Sequence, residues 1–516
     1  MRALLCRAIL TISCLWVPCA LAQEPFIGNP SQQPNATISS GALVGMNSGQ
    51  TFWIAPVDGK IQLFVAQDYI IPRKSGFWRV RLDMKWAAPK DSTGEVIEAT
   101  VKDDPELSGV PPGYGLLWAV PLKKGMDAEA WPPTETKPAK PEEDNQEEST
   151  MEQMQREAEE EPHKLTLLFL GPDYVSYNEE YTVISSGGGT GGSSTDAILQ
   201  ITDAPAGPGS ATDKLLVHQI PEPLDDATRE KDLTACIDPS GQDEFSSEDF
   251  LRGAQESTFG LKRDKQRWVF DWDIGYAEGA ARGYFTDCPV SLPPPASMVG
   301  RNELFPEWNK IRSAYPAATD AFSSPSHDLL LMVVAGKLLV AAVVDGKVGE
   351  PLARINLLDG PVMVQWATGK YADTWTKELT PYFRPYASDK PQRDPKLNNA
   401  DGLYYMQQHK PASAVGYFVT ASVDDSSNPE YTNNAGFAYY QMEKYEESVV
   451  WLQKTVSLDP KRAVAYLNLG DAYAKLNRNA EARQAYARYL ELAPDSKSAP
   501  AVKKKLDALP GAPALR

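Results

Sequence analysis

The chain has 516 residues and sets 69 acidic against 51 basic side chains, a formal charge of −18. That excess of carboxylates argues against nucleic acid or an anionic membrane as the main partner, because both are held by Lys and Arg. Length alone leaves room for roughly two to four domains.

The chain begins "MRALLCRAILTISCLWVPCALAQ", with Arg2 and Arg7 ahead of an apolar run and small residues at Ala20-Leu21-Ala22. A signal peptide over residues 1–22, cut after Ala22, is expected, and with it a secreted or periplasmic location. Pro18 stands before Cys19, where a lipoprotein site needs a small residue. Two cysteines, Cys236 and Cys288, remain after the leader. In an oxidising compartment they are expected to form a structural disulfide, contributing roughly 4 kcal/mol on the chain-entropy model.

Residues 23 to 42 are polar and proline-rich, a lead-in that contains the sequon Asn35-Ala36-Thr37. From residue 43 the pattern turns to strands. Asp58-Gly59 sits between two alternating apolar runs, and Asp345-Gly346 repeats the signal, each predicting a two-residue hairpin. "GFWRVRLDMKW" alternates as a half-buried strand does, and "KLTLLFLGPDYVSYNEEYTVI" is strand-like again. Between them, residues 132–162 hold many carboxylates and almost no apolar side chains, which predicts a disordered or loosely helical insertion. In "RWVFDWDIGY" the spacing places Trp268, Phe270, Trp272 and Ile274 on one strand face, with Asp271 and Asp273 facing solvent. "LLLMVVAGKLLVAAVV" is apolar, but Gly336 and Lys337 split it and Asp345 ends it, short of the roughly 20 residues a membrane span needs. Strands with a few helices and no regular βαβ alternation predict a β-rich or α+β domain over residues 43–385.

Local motifs for chemistry are sparse. Gly187-x-Gly189-x-x-Gly192 precedes a stretch that reads as a strand, whereas a dinucleotide loop must open a helix. The loop from Asp271 has Arg282 where a calcium loop requires glutamate. Ser326, His327 and Asp328 are adjacent, while a nucleophilic triad converges from separate elements. The four histidines show no metal spacing. No catalytic residue, metal site or cofactor is expected from the sequence.

Beyond residue 395 the chain repeats. Gly402, Gly436 and Gly470 are 34 residues apart, as are Tyr405, Tyr439 and Tyr473, and Ala414, Ser448 and Ala482. Phe418, Leu452 and Tyr486 keep the same phase. That period predicts an all-α solenoid of helical hairpins, in which glycine lets the two helices of a unit approach. Three units are expected (395–428, 429–462, 463–496) with a capping helix that ends near residue 510. The first unit departs most from the pattern, with three extra residues before Pro429.

At these residues the sequence resembles the tetratricopeptide repeat (TPR) family, best in Ala463–Ser496 with Tyr466, Leu469, Gly470, Tyr473, Ala482, Tyr486 and Pro494 in phase. The resemblance covers under a quarter of the chain. It implies a concave groove that binds a protein or peptide, lined by Asn433, Asn434, Phe437, Tyr440 and Gln441, then Leu467, Asn468, Asp471, Ala474 and Lys475. Asn434 and Asn468 stand where family members hold a ligand's backbone. Asn433, Leu467 and Asp471 replace the basic clamp that captures an acidic C-terminus. The function expected is a secreted, non-enzymatic scaffold or adaptor. A glycan-binding protein or hydrolase acting through the β-rich domain is the alternative, and a homodimer through the repeats is a further possibility.

Overall fold

A computed structural model describes residues 38–82, 117–122, 164–184, 190–201, 231, 259–273, 287–289, 292–386 and 394–510. The leader, the sequon, the acidic stretch 132–162 and Cys236 lie outside these residues, and the Cys288 side chain does too. Among the described residues the chain is strand-rich before residue 386 and helical after residue 394.

The strands come in antiparallel meanders. β1 (Ser40–Met46), β2 (Thr51–Val57) and β3 (Lys60–Ala66) form one sheet. β4 (Tyr69–Arg73), β5 (Gly76–Leu82) and β6 (Leu117–Pro121) form a second, and β7 (Lys164–Leu170), β8 (Tyr174–Ile184) and β9 (Thr190–Gln200) a third. β10 (Phe259–Asp264), β11 (Arg267–Asp273) and the short β12 (Asp287–Pro289) make the fourth. Two short helices, α1 (Ala296–Val299) and α2 (Trp308–Ala314), lead into a four-stranded meander. Its strands are β13 (Ala318–Ser323), β14 (Leu329–Val334), β15 (Lys337–Val344) and β16 (Lys347–Asn356). β17 (Pro361–Thr368) then returns to pair with β1, α3 (Lys370–Leu379) follows Gly369, and β18 (Arg384–Pro385) pairs with β3. Both Asp-Gly pairs form the hairpins expected. Asp58 and Gly59 have φ of 49° and 74°, Asp345 and Gly346 of 50° and 70°, the twist a two-residue hairpin needs. Ala335-Gly336, which splits the apolar run, is a third such turn.

The first sheet is buried on both faces, which explains its nearly continuous apolar sequence. Ala42, Val44, Phe52, Ile54 and Leu63 face a core shared with β10, β11 and one face of the β13–β16 sheet. Leu43, Trp53 and Ala55 point the other way, into a core with β4, β5 and β7–β9. Alternation by one residue therefore assigns neighbours in a strand to different cores. Trp268 and Phe270 are inward, as predicted, while Ile274 and the side chains of Trp272 and Asp273 lie outside the described residues. Asp271 is a correction: it is buried, and Lys262 on the adjacent strand pairs with it at 2.6 Å. The outer face of β11 is covered by packing against β9, so its solvent role is lost.

Asp328, offered by sequence beside Ser326 and His327, has a structural task. Its carboxylate accepts from Ser39 N at 2.7 Å, Ser39 Oγ at 2.9 Å, Ser40 N at 3.1 Å and Ser324 Oγ at 2.8 Å. It thus fastens the start of β1 to the β13–β14 turn. His327 points elsewhere, stacked on Phe305 with ring centroids 4.1 Å apart and its Nε2 2.7 Å from Arg301. Burial pushes the Asp328 carboxyl up, but the hydrogen bonds from Ser40, Ser39 and Ser324 outweigh it and hold the group below its ordinary value.

The helices keep the 34-residue period. First helices α4 (Pro395–Gln407), α6 (Pro429–Gln441) and α8 (Ala463–Lys475) alternate with second helices α5 (Pro411–Asp424), α7 (Tyr445–Leu458) and α9 (Asn479–Leu492). α10 (Ala499–Ala508) caps the stack, with Val502 buried on the last unit. The first unit is regular after all: Pro429 opens α6 in phase with Pro395 and Ala463 and is not a closing proline. A Cβ on Gly402, Gly436 or Gly470 would lie 2.5, 2.7 or 2.4 Å from Phe418, Leu452 or Tyr486 respectively, the residue packed on it from the unit's second helix.

The outer face of the β13–β16 sheet is covered by these repeats. Leu330, Met332, Val334, Leu339, Ala341 and Val343 share a core with Phe418, Val419 and Val423 of α5, Trp451 of α7, Ile311 of α2, the short helix that α7 packs on, and Tyr315 just after it. Polar ties reinforce the seam: Lys337 of β15 pairs with the buried Asp424, and Ser426 donates to Glu350. Lys454 of α7 lies beside Glu350 as well, and burial lowers its pKa.

Three outcomes follow from these contacts. Gly436→Ala gains roughly 1 kcal/mol of helix propensity but overpacks against Leu452, for a net loss of about 1–2 kcal/mol by urea denaturation. Gly416→Ala, where a Cβ meets nothing, gains up to about 1 kcal/mol in the same measurement. Asp328→Asn costs about 1–3 kcal/mol at pH 7. Because the native carboxyl titrates below its ordinary range, its stabilisation is complete above that range and disappears as pH falls through the native value. Melting curves of the two proteins therefore converge in acid; a gap independent of pH would contradict this assignment.

Candidate partner-binding groove

The seam with the sheet is built mainly by the second helices, with Ala435 and Ala438 of α6 in the same core, and the remaining face of the first helices α4, α6 and α8 is the candidate groove. Phe437 is exposed there on α6, and Tyr440 and Asn434 are half-buried beside it. Gln441 and Lys475 are exposed at the far ends of their helices, and Leu467, Asn468, Asp471 and Ala474 are half-buried on α8. Asn433 is buried. The sequence reading omitted the contribution of α4. Leu403, exposed, stands 34 residues before Phe437, and Asn399 stands 34 before Asn433. Val464 is exposed on α8 and was also omitted. Carrying the period back one unit would have found the first two.

The amides form a chain across the three units. Asn399 Nδ2 donates to Glu430 Oε1 at 3.1 Å, and Asn434 Nδ2 donates to Asn399 Oδ1 at 2.9 Å. Asn433 Nδ2 reaches Asn434 Oδ1 at 3.5 Å, and Asn468 Nδ2 reaches Asn433 Oδ1 at 3.5 Å. Such a ladder satisfies polar groups that the close stacking of units would otherwise bury unpaired. It also fixes which way each carboxamide points. Asn434 therefore spends one amide hydrogen on its neighbour unit, and the Oδ1 of Asn468 is left at the open end of the chain.

Asp471 faces the groove but is already engaged. Its Oδ1 accepts from Tyr486 OH at 2.7 Å and from Lys505 Nζ of the capping helix at 2.6 Å. Burial, then the bond to Asp471, pushes the Tyr486 hydroxyl far above its ordinary pKa, so the phenol stays a donor. Tyr440 is raised by burial and by the same carboxylate. With Glu430 tied to Asn399 and Asp471 tied to Lys505, the groove presents apolar and amide surface with Lys475 near its C-terminal end. Among the described residues no group of His, Cys, Asp and Glu could hold a metal, and no helix is long and apolar enough to cross a membrane.

Among the described residues of the β-rich region the large exposed apolar side chains are Leu358 and Tyr371. Trp53, Trp78 and Trp268 are buried. The cleft lined by Arg263, Trp268, Arg301, Asn302, Phe322 and Trp366 encloses about 10 Å³, room for one water and not for a sugar ring. Arg263 there is spent on Asp320, at 2.9 and 3.0 Å, with its guanidinium over the Phe322 ring. Gly191 and Gly192 lie within β9, paired with Val183 and Thr182 of β8, and open no helix, while Gly187 and Gly189 lie outside the described residues.

Comparisons with known proteins converge on the repeats. The chain is 32% identical over 102 residues to Anaphase-promoting complex subunit 6 of Arabidopsis thaliana, which is 19% of this chain and 19% of that protein. Similar solved structures include the first TPR domain of the human RPAP3 protein, at 25% identity and TM-score 0.22, covering 23% of this chain and 92% of that one. The second TPR domain of human RPAP3 in complex with an HSP70 peptide is 24% identical with TM-score 0.21, covering 22% and 98%. The Yersinia enterocolitica type III secretion chaperone SycD in complex with a peptide of the translocator YopD is 16% identical with TM-score 0.22, covering 22% and 90%. No family profile matches the N-terminal region. Profiles described as TPR repeat and Tetratricopeptide repeat match residues 436–477 and 463–496, and residues 436–496 are tetratricopeptide repeats.

Proposed function

We propose that this protein is a secreted, non-enzymatic adaptor that binds an extended segment of a partner protein in the concave groove of its repeats. The observation that carries the reading is the division of faces: α5 and α7 are buried against the β13–β16 sheet, while Leu403, Phe437 and Val464 of the first helices are exposed. A repeat stack whose only task was to cover the sheet would have no use for exposed apolar side chains on its far side. The partner segment lays apolar side chains against Leu403 and Phe437. Its backbone meets the free amide atoms of Asn434 and Asn468. Asp471 is balanced by Lys505 while Glu430 keeps its charge beside Asn399, so the groove offers no clamp for an acidic terminus. The N-terminal leader supplies the route to the secretory compartment, and the β-rich region supplies a rigid mount.

The test uses the whole secreted chain as bait in an extract of the compartment. Phe437→Ala with Tyr440→Ala removes two aromatic anchors, and a partner captured by the native chain is expected to lose at least about tenfold in affinity. Asn434→Ala, which breaks the ladder, weakens capture by a smaller factor. Leu358→Ser, at an exposed turn of the β-rich region, leaves it unchanged. Capture that ignores the groove substitutions but is lost with Leu358→Ser or competed by glycan would refute the reading.

A further inference from the structure

One row of the repeat runs through the groove and on into the capping helix. Leu403, Phe437, Asp471 and Lys505 are each 34 residues apart, on α4, α6, α8 and α10. Leu403 and Phe437 present exposed apolar side chains, so the row reads apolar, apolar, acidic, basic. Its two charges meet: Lys505 Nζ lies 2.6 Å from Asp471 Oδ1 and 5.9 Å from the centroid of the Tyr486 ring. The Tyr486 hydroxyl donates to the same oxygen at 2.7 Å, and it keeps its proton because burial and this bond push its pKa far up. Asp471 also acts on the groove itself, since after burial its charge is what raises the Tyr440 hydroxyl most.

The cation on Asp471 comes from another helix although α8 carries one of its own. Lys475 stands four residues after Asp471, the spacing of a helical ion pair, yet its ammonium lies over the Tyr445 ring at 5.9 Å. The pair that does form is open to the groove, with the Lys505 side chain 48% and the Asp471 side chain 21% exposed. A pair so exposed contributes on the order of 1 kcal/mol or less to stability. Its larger effect is on what can approach the third unit.

We infer that Lys505 is a specificity-determining residue of the groove, a tethered counter-ion that keeps cationic side chains off Asp471, so that the partner segment sets an uncharged side chain at the third unit. The inference rests on the reading of the groove as the partner site. A bare carboxylate in this row would draw a Lys or Arg of the segment. Lys505 belongs to the same chain, which gives its ammonium an effective concentration on the order of millimolar or more against any cation of the ligand. Replacing one ammonium by another then adds no affinity, and an acidic side chain meets the like charge of Asp471. Glu430 differs, because its partner is the neutral amide of Asn399 and its charge remains. A cation on the segment is thus admitted beside Glu430 and refused at Asp471, which fixes the register of the segment along the groove.

A random dodecapeptide library displayed on phage and selected on the full chain reads this, with Phe437→Ala as the counter-selection that retains only groove binders. Lys505→Gln is expected to shift the selected peptides towards a Lys or Arg at one fixed distance from their apolar pair. Those peptides bind the variant at least about fivefold more tightly than the native chain, and the gain disappears when Asp471→Asn is added. Lys505→Arg, which keeps the charge, selects as the native chain does. Were Lys505 only a tie between α10 and the stack, Lys505→Gln would weaken all groove peptides alike and leave their charge unchanged, and that result overturns the inference while the groove reading stands. A library that yields no peptide lost with Phe437→Ala overturns the groove reading and this inference with it.

Discussion

The packing of α5 and α7 on the β13–β16 sheet is the contact on which the rest of the molecule depends. β14 and β15 are buried on both faces: Leu329, Leu331, Leu338 and Val340 toward the first sheet, Leu330, Met332, Leu339 and Ala341 toward the helices. Each large side chain contributes roughly 1.5–3 kcal/mol when removed from water. Without the helices, half of these side chains would form a broad apolar surface on a sheet. Repeat stacks stabilise themselves through nearest neighbours alone, and here the first two units gain a third neighbour that does not repeat. The sheet and the solenoid are thus one cooperative body at this seam. Isolated repeats would expose Phe418-side and Trp451-side surface that evolved to be covered, so the whole chain is the proper unit for binding experiments.

This seam also decides the geometry of function. Covering the second helices fixes the first helices outward, and the Lys337–Asp424 pair and the Ser426–Glu350 bond hold that orientation at the margin. Breaking a buried pair is costly because the partner is left charged and unsolvated. The groove is therefore presented by a mount and does not swing on a linker. The amide ladder stiffens it along its length, since rotating one carboxamide unpairs its neighbours in turn.

What the sequence revealed follows from which patterns survive without tertiary context. The repeat was legible because glycine, tyrosine and a small residue must recur wherever two helices meet at short distance, and Gly436 against Leu452 shows the steric reason. The Asp-Gly hairpins were legible because positive φ at two successive residues restricts the residue types. The sidedness of the strands was not. When both faces are buried, the period-two signal vanishes into a continuous apolar run, and "LLLMVVAGKLLVAAVV" could be recognised only as too short for a membrane. Asp271 misled for a related reason: alternation marks it as outward, and outward here means toward β9, where Lys262 pairs with it. The groove reading stopped one unit short, because irregular spacing before Pro429 masked a helix register that the structure keeps.

The ends of the stack complete the logic of its sequence. Solenoids terminate by making the last interface polar or by covering it, and the C-terminal end does both, with Val502 inward and Lys503, Lys504 and Lys505 outward. Lys505 then does a second task, balancing Asp471 across the groove. On an acidic chain that pairing has a consequence for recognition. A groove left with free carboxylates would select basic ligands through a long-range field that salt screens away. Lys505 balances Asp471, whereas Glu430, hydrogen-bonded to the neutral amide of Asn399, keeps its charge; on the proposed reading, binding divides between apolar area at Leu403 and Phe437 and a salt-sensitive attraction at Glu430.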